Sequence, residues 1–250
     1  MTITIALVAA GGWIATRHFG RTSPVPTCTV GAYILEVPQA ANAATIAAVG
    51  KRMGLADHAV TVALAAALQE SKLRNLDHGD LDSVGLFQQR PSQGWGTRTN
   101  LLVPRLAASA FYRALGQIDG WATMAVTDAA QQVQRSAAPS AYAQWEGEAR
   151  ALAVALTGEA PAGVSCRFAM PSTVADSTPV AAAMAAELGP PTVGTPLDPA
   201  RGWTVASWLV THASTYRVAS VAFLNSLWTP GSGRWVPRQP TVSQVEFRVA

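Results

Sequence analysis

The chain has 250 residues, 49% of them apolar and only 13% charged, so it can bury a sizeable core and is not a disordered polyelectrolyte. Its formal net charge of +3 is spread without a Lys/Arg run or a basic stripe interleaved with aromatics, which leaves nucleic acid out as a partner. The length allows one large domain or a medium domain with a small companion.

Residues 1–16 carry no charged side chain, and Arg17, His18 and Arg21 follow them. The run is short for a spanning helix, which needs about 17–25 residues, and no basic residue precedes it as in an orthodox export signal. It is read as an apolar export signal or membrane anchor that, with a spacer, occupies residues 1–27. The chain is then expected outside the cytoplasm, at the cell wall or held on the membrane. The two cysteines, Cys28 and Cys166, bracket nearly every motif described below. A disulfide between them would close a long loop and mark an oxidising compartment; two separate buried thiols are the alternative.

After Cys28 the sequence is β-rich to about residue 37 and predicts a strand or hairpin arm. Residues 39–53 are Ala-rich and helical, stopped by Gly54, and Asp57 is expected to cap a second helix running to about Leu73. An Asp/Gly-rich loop covers 75–83, a short apolar segment 84–89, and a Gly/Trp loop 91–99. Three helices are expected over 102–116, 123–135 and 139–157, the last with proline at its start, where a missing N–H costs nothing. Residues 158–199 hold seven prolines and four glycines and read as a linker, apart from a helical turn over 180–188. A helix over 203–215, a strand over 217–224, a turn flanked by Trp228 and Trp235 and a strand over 242–249 complete a small α+β module.

The chemistry concentrates in 67–96. Glu70 ends a helix whose preceding turns are almost uncharged, with Ala63, Ala66 and Ala67 on its own face. Poor solvation beside alanines and the negative end of the helix dipole both disfavour the anion, as a general acid requires. The plainer alternative is a solvated helix-end carboxylate neutralised by Lys72 and Arg74. Asp77, Asp80 and Asp82 crowd the following loop. Their spacing lacks the glycine and distal glutamate of a calcium loop, so either a second glycosidase carboxylate or a solvated turn accounts for them. In Gly85-Leu86-Phe87-Gln88 the glycine lets backbone approach a ligand and the amide can both donate and accept. Ser83, just ahead of this box, is grouped with it as a substrate-binding candidate. Trp95 offers an indole face for a sugar ring.

Glu70-Ser71 followed by Gly85-Leu86-Phe87-Gln88 resembles the paired Glu-Ser and Gly-Leu-Met-Gln signature of goose-type lysozymes and soluble lytic transglycosylases. The wider segment is similar to a group of secreted actinobacterial lysozyme-like proteins, and the resemblance covers about 28–166. It implies a mainly α, lysozyme-like domain with a short β-hairpin, Glu70 as the acid that protonates the glycosidic oxygen, and Gly85, Leu86, Phe87 and Gln88 lining a sugar cleft. Gly79-Asp80 match the Gly-Asp pair that precedes the box in goose-type enzymes, so Asp80 is the candidate second carboxylate. The family's further Asp, two residues after the Gln, is Arg90 here, which favours single-acid chemistry with a 1,6-anhydro product. The family's later Asn/Gly box is not matched; Gln134 and Tyr142 are the cleft candidates in that region. Residues 167–200 are then a Pro/Thr-rich linker.

Residues 201–250 are the small α+β accessory domain. Gly202-Trp203, the stretch around His212, Trp228 and Trp235 are similar to a small domain related to metal-dependent wall peptidases. The final strand lacks the two histidines of those enzymes, and a single imidazole cannot assemble a zinc site. The expectation is a glycosidase acting on peptidoglycan glycan strands between N-acetylmuramic acid and N-acetylglucosamine, without metal or organic cofactor. The competing reading is a non-catalytic wall-binding or assembly protein on the same fold.

Overall fold

A computed structural model describes residues 25–136, 138–170, 179–190 and 194–250. The apolar stretch and basic residues expected to direct export or anchoring lie outside the described residues. Among those that are described, no helix is long and apolar enough to cross a membrane.

The chain opens as a hairpin, β1 (Thr27–Val30) and β2 (Tyr33–Glu36), turned at Gly31 with φ +59°. β1 also pairs antiparallel with β3 (Val164–Arg167), giving a three-stranded sheet of order β2-β1-β3. Cys28 stands opposite Cys166 in that register, and the two form the disulfide, 138 residues apart in sequence. The bridge therefore joins neighbouring strands whose pairing already brings both ends of the helical region together. It points to an oxidising, extracytoplasmic environment. β3 lies in a stretch read as linker; its partner is more than 130 residues away in sequence, beyond the reach of any local pattern.

Between β2 and β3 lie six α-helices: α1 (Val37–Arg52), α2 (Asp57–Ser71), α3 (Arg98–Leu101), α4 (Pro104–Leu115), α5 (Val126–Gln134) and α6 (Glu146–Leu156). α2 is the central one. Every residue from Ala59 to Leu68 is buried, the pattern of a helix enclosed on all sides rather than one with a single apolar stripe. Its alanines let α1, α5 and α6 approach closely. Asp57 is the first residue of α2 and not its cap; the carboxylate instead takes the Lys51 ammonium at 2.7 Å. The helix stops at Ser71 because Lys72 and Leu73 turn left-handed, with φ +55° and +61°. Where one helix was expected over 139–157, the chain makes a 3-10 turn, Pro139–Trp145, before α6 begins. That tighter segment lies across the end of α2.

The C-terminal part consists of α7 (Val180–Leu188), α8 (Pro199–Thr211), α9 (Ala213–Tyr216) and a two-stranded antiparallel ribbon, β4 (Val218–Thr229) with β5 (Arg234–Val249). α7 falls within the expected linker and buries Met184 and Leu188. α8 begins with Asp198, whose carboxylate accepts from the Arg201 N–H at 3.0 Å, an N-cap followed by proline at the first helical position. α8 packs on α1, α6 and β3, so one contiguous apolar cluster runs from Cys28 to Val245. Gly202 is required there by space: a Cβ would fall 1.9 Å from the Phe223 ring. Trp228 and Trp235 face one another across the ribbon, and their indole N–H groups donate to the carbonyls of Cys166 and Val164, seating the ribbon on β3. His212 ends α8 buried between Trp208 and Tyr216, with burial holding its imidazole below the ordinary value.

Candidate functional site

Glu70 is the point at which α2 emerges from the core. Its backbone continues the buried helix, while the side chain is half-exposed in a cleft of about 330 Å³. The cleft is also lined by Asp80, Gln88, Arg90, Trp95 and Gln134, drawn from three separate stretches of sequence. The Tyr142 hydroxyl donates to Glu70 Oε1 at 2.8 Å. Tyr142 comes from the 3-10 turn and is itself buried. Burial foremost, then the adjacent Glu70 carboxylate, push the phenol well above its usual range. Glu70 Oε2 has no protein donor among the described residues. One carboxyl oxygen is thus fixed by Tyr142.

The fifteen-residue spacing between the Glu-Ser pair and the box has a structural cause. Ser71, next to Glu70 and buried, donates from its hydroxyl to Leu86 O at 2.8 Å and to Ala67 O at 3.1 Å. The end of α2 is thereby tied to the loop that follows the Asp-rich stretch. Two single bridges, Leu76 with Gly85 and Val84 with Gln89, frame that loop as a small hairpin. Gly85 sits at φ +79°, and a Cβ there would meet the Leu101 carbonyl oxygen at 2.4 Å, so both conformation and space demand glycine. Gln134, at the end of α5, donates to Phe87 O at 2.9 Å and holds the loop from its other side.

Not every residue of the box lines the cleft. Leu86 and Phe87 are fully buried, and Phe87 stacks on Phe111 at 4.7 Å. They anchor the loop in the core and meet the site only through backbone, because an aliphatic and an aromatic side chain gain more from the helical interior than from a polar groove. Gly85 is likewise buried, and Ser83 is buried and outside the cleft lining. Gln88 does reach the cleft. Its left-handed backbone, φ +47°, aims the amide inward, where Nε2 donates to the carbonyls of Gly85 and His78. Trp95 is half-buried at the rim, and Asp80 is exposed on the lining.

Arg90 and Asp82 form an ion pair at 2.8 Å, and Asp82 also accepts from the N–H and hydroxyl of Ser92. The guanidinium, then the Ser92 N–H, hold the Asp82 carboxyl down at about 2. The cation at this position therefore ties down the loop and offers no carboxylate to activate water. Gln69 and Lys72, flanking Glu70 and Ser71, engage Trp145: the indole N–H donates to Gln69 Oε1 at 2.8 Å, and the Lys72 ammonium lies 3.9 Å from the ring centroid. Among the described residues no three His, Cys, Asp or Glu converge as metal ligands. Ser71 carried a sequence trace in its pairing with Glu70. Gln93, Arg135 and Ser136, which also line the cleft, carried none. Arg135 arrives there through a left-handed turn after α5 that no local signal announces.

The chain matches no protein-family model, and no curated protein matches it.

Proposed function

We propose that this protein is a lysozyme-like glycosidase that cleaves peptidoglycan glycan strands, with Glu70 as the general acid. The observation that supports this best is the meeting of Glu70 and Tyr142 at the wall of a polar cleft that also holds Asp80, Gln88, Trp95 and Gln134. A carboxyl group fixed through one oxygen and open through the other suits protonation of a glycosidic oxygen. Amide side chains and a half-exposed indole suit hydroxyls, acetamido groups and a sugar face. Arg90 stands where goose-type enzymes carry a further Asp, so the reaction we favour is single-acid chemistry, with Asp80 the other carboxylate on the lining. Glu70 donates its proton to the glycosidic oxygen as the bond from that oxygen to the anomeric carbon of N-acetylmuramic acid breaks. It then takes the proton of that N-acetylmuramic acid's own 6-hydroxyl as its 6-oxygen closes on the same anomeric carbon, giving a 1,6-anhydro product.

Glu70→Gln keeps the Tyr142 acceptor and removes the transferable proton. General-acid catalysis contributes about 10²–10⁴-fold, so release of muropeptides from purified sacculi is expected to fall by at least about 10²-fold with the circular dichroism unchanged. Absence of release by wild type, or equal release by the glutamine variant, refutes the enzymatic reading. Mass analysis of the products distinguishes anhydro ends from reducing ends.

A further inference from the structure

Away from the cleft, the outer face of the three-stranded sheet meets the tip of the β4–β5 ribbon in a groove of about 470 Å³. On β1 and β3 the residues alternate: Cys28, Val30, Val164 and Cys166 face the core, while Thr27, Thr29, Ser165 and Arg167 face outward. The register sets Thr27 opposite Arg167 and Thr29 opposite Ser165. The ribbon tip contributes Ser232, Gly233 and Arg234. It is held in place by the Ser165 hydroxyl donating to Gly233 O at 2.5 Å and by the Phe168 N–H donating to Pro230 O at 3.3 Å. The approach is tight, since a Cβ on Gly233 would fall 2.6 Å from the Arg167 Cβ.

Among the described residues, the groove lining contains two guanidinium groups, four hydroxyl groups and no carboxylate. Neither the Arg167 nor the Arg234 guanidinium has an ion-pair partner among the described residues, and neither threonine hydroxyl has a hydrogen-bond partner among them. The charge is local to this part of the chain. Residues 201–250 carry five arginines against the single acid Glu246, a net of +4, whereas 28–166 carry ten basic and eleven acidic residues, a net of −1. Guanidinium forks match the oxygens of phosphate in pairs, and surrounding hydroxyls fill the remaining acceptor sites.

We infer that this groove binds a phosphate-class oxyanion, held by Arg167 and Arg234 with Thr27 and Thr29. It is separate from the Glu70 cleft, and the inference does not rest on the glycosidase reading. The test is calorimetric titration of the full-length protein with inorganic phosphate and with glycerophosphodiester at low ionic strength. Both Arg167→Gln and Arg234→Gln are expected to weaken binding at least tenfold. Arg248→Gln, which removes the same charge from the far end of β5, should change it less than twofold. Binding of the monoester alone assigns the site to terminal phosphate, and binding of both assigns it to either form. The inference is overturned if wild type shows no saturable binding, or if Arg248→Gln weakens it as much as the other two, which would make the attraction diffuse charge without a site.

Discussion

Replacing Tyr142 by Phe removes the hydroxyl that meets Glu70 and leaves the buried ring in place. The lost interaction is the 2.8 Å hydrogen bond to Glu70 Oε1. Hydrogen bonds to charged groups contribute about 1.5–3 kcal/mol, and Glu70 is only half-buried, so water can replace part of the donor. The low end applies, about 1.5 kcal/mol. For a chain of this size that is a fall in Tm of about 3–6 °C. Stability alone does not separate the bond from a packing defect, but a double-mutant cycle does. Tyr142→Phe, Glu70→Ala and the double variant should give a coupling energy of about 1–1.5 kcal/mol by urea denaturation. Sacculus cleavage by Tyr142→Phe should also fall, because the carboxyl loses the donor that orients it. A coupling energy within about 0.3 kcal/mol of zero would show that the two groups do not support one another and would refute the site geometry.

Two further outcomes follow from the loop that Ser71 ties to the end of α2. Gly85→Ala forces a left-handed φ on a residue whose Cβ meets the Leu101 carbonyl oxygen at 2.4 Å. It should cost about 1–3 kcal/mol, read as a shifted urea midpoint, and a neutral variant would show that the loop can move away from α3. Asp82 is held at about 2 by Arg90 and Ser92. Because that lies below the ordinary carboxylate value near 3.9, the pair favours folding above about pH 4, and its contribution fades as pH falls toward about 2. Asp82→Asn should therefore be less stable than wild type at pH 6, with the gap closing by pH 2; an equal gap at both would assign the effect to something other than ionisation.

The site was legible in the sequence where its logic is local. Glu70 stands out because nothing charged precedes it for three turns of α2, and the hairpin box stands out because its glycine, loop length and spacing from Ser71 are fixed by a hydrogen bond fifteen residues long. The all-round burial of α2 was less legible, since an alanine helix enclosed on every side shows no amphipathic stripe. The side chains of Leu86 and Phe87 were misplaced because the same box can present either backbone or side chain to a ligand, and only the stacking on Phe111 decides. Tyr142 is expected to line the cleft, but it is fully buried and meets the site only through its bond to Glu70, on a 3-10 turn that proline at a helix start does not distinguish from ordinary helix. β3 was missed because four residues whose partner lies across the whole helical body leave no periodicity to read. α7 and α8 show the opposite case, with helical signals inside or beside a proline-rich stretch that packs onto the main core.

The clasp between β1 and β3 bears on how the molecule carries load. Tension applied between the two ends of the chain enters at Thr27 and leaves at Arg167, which are direct cross-strand neighbours beside a covalent bridge. Along the covalent chain, force therefore passes through the sulfur–sulfur bond and into the C-terminal part, and the helical body between the cysteines, with Glu70 and its cleft, lies outside that covalent path. A chain tethered at one end and pulled at the other would load the backbone of the helical body only once the bridge is reduced, and before that only through the packing of α7 and α8 on α1 and α6.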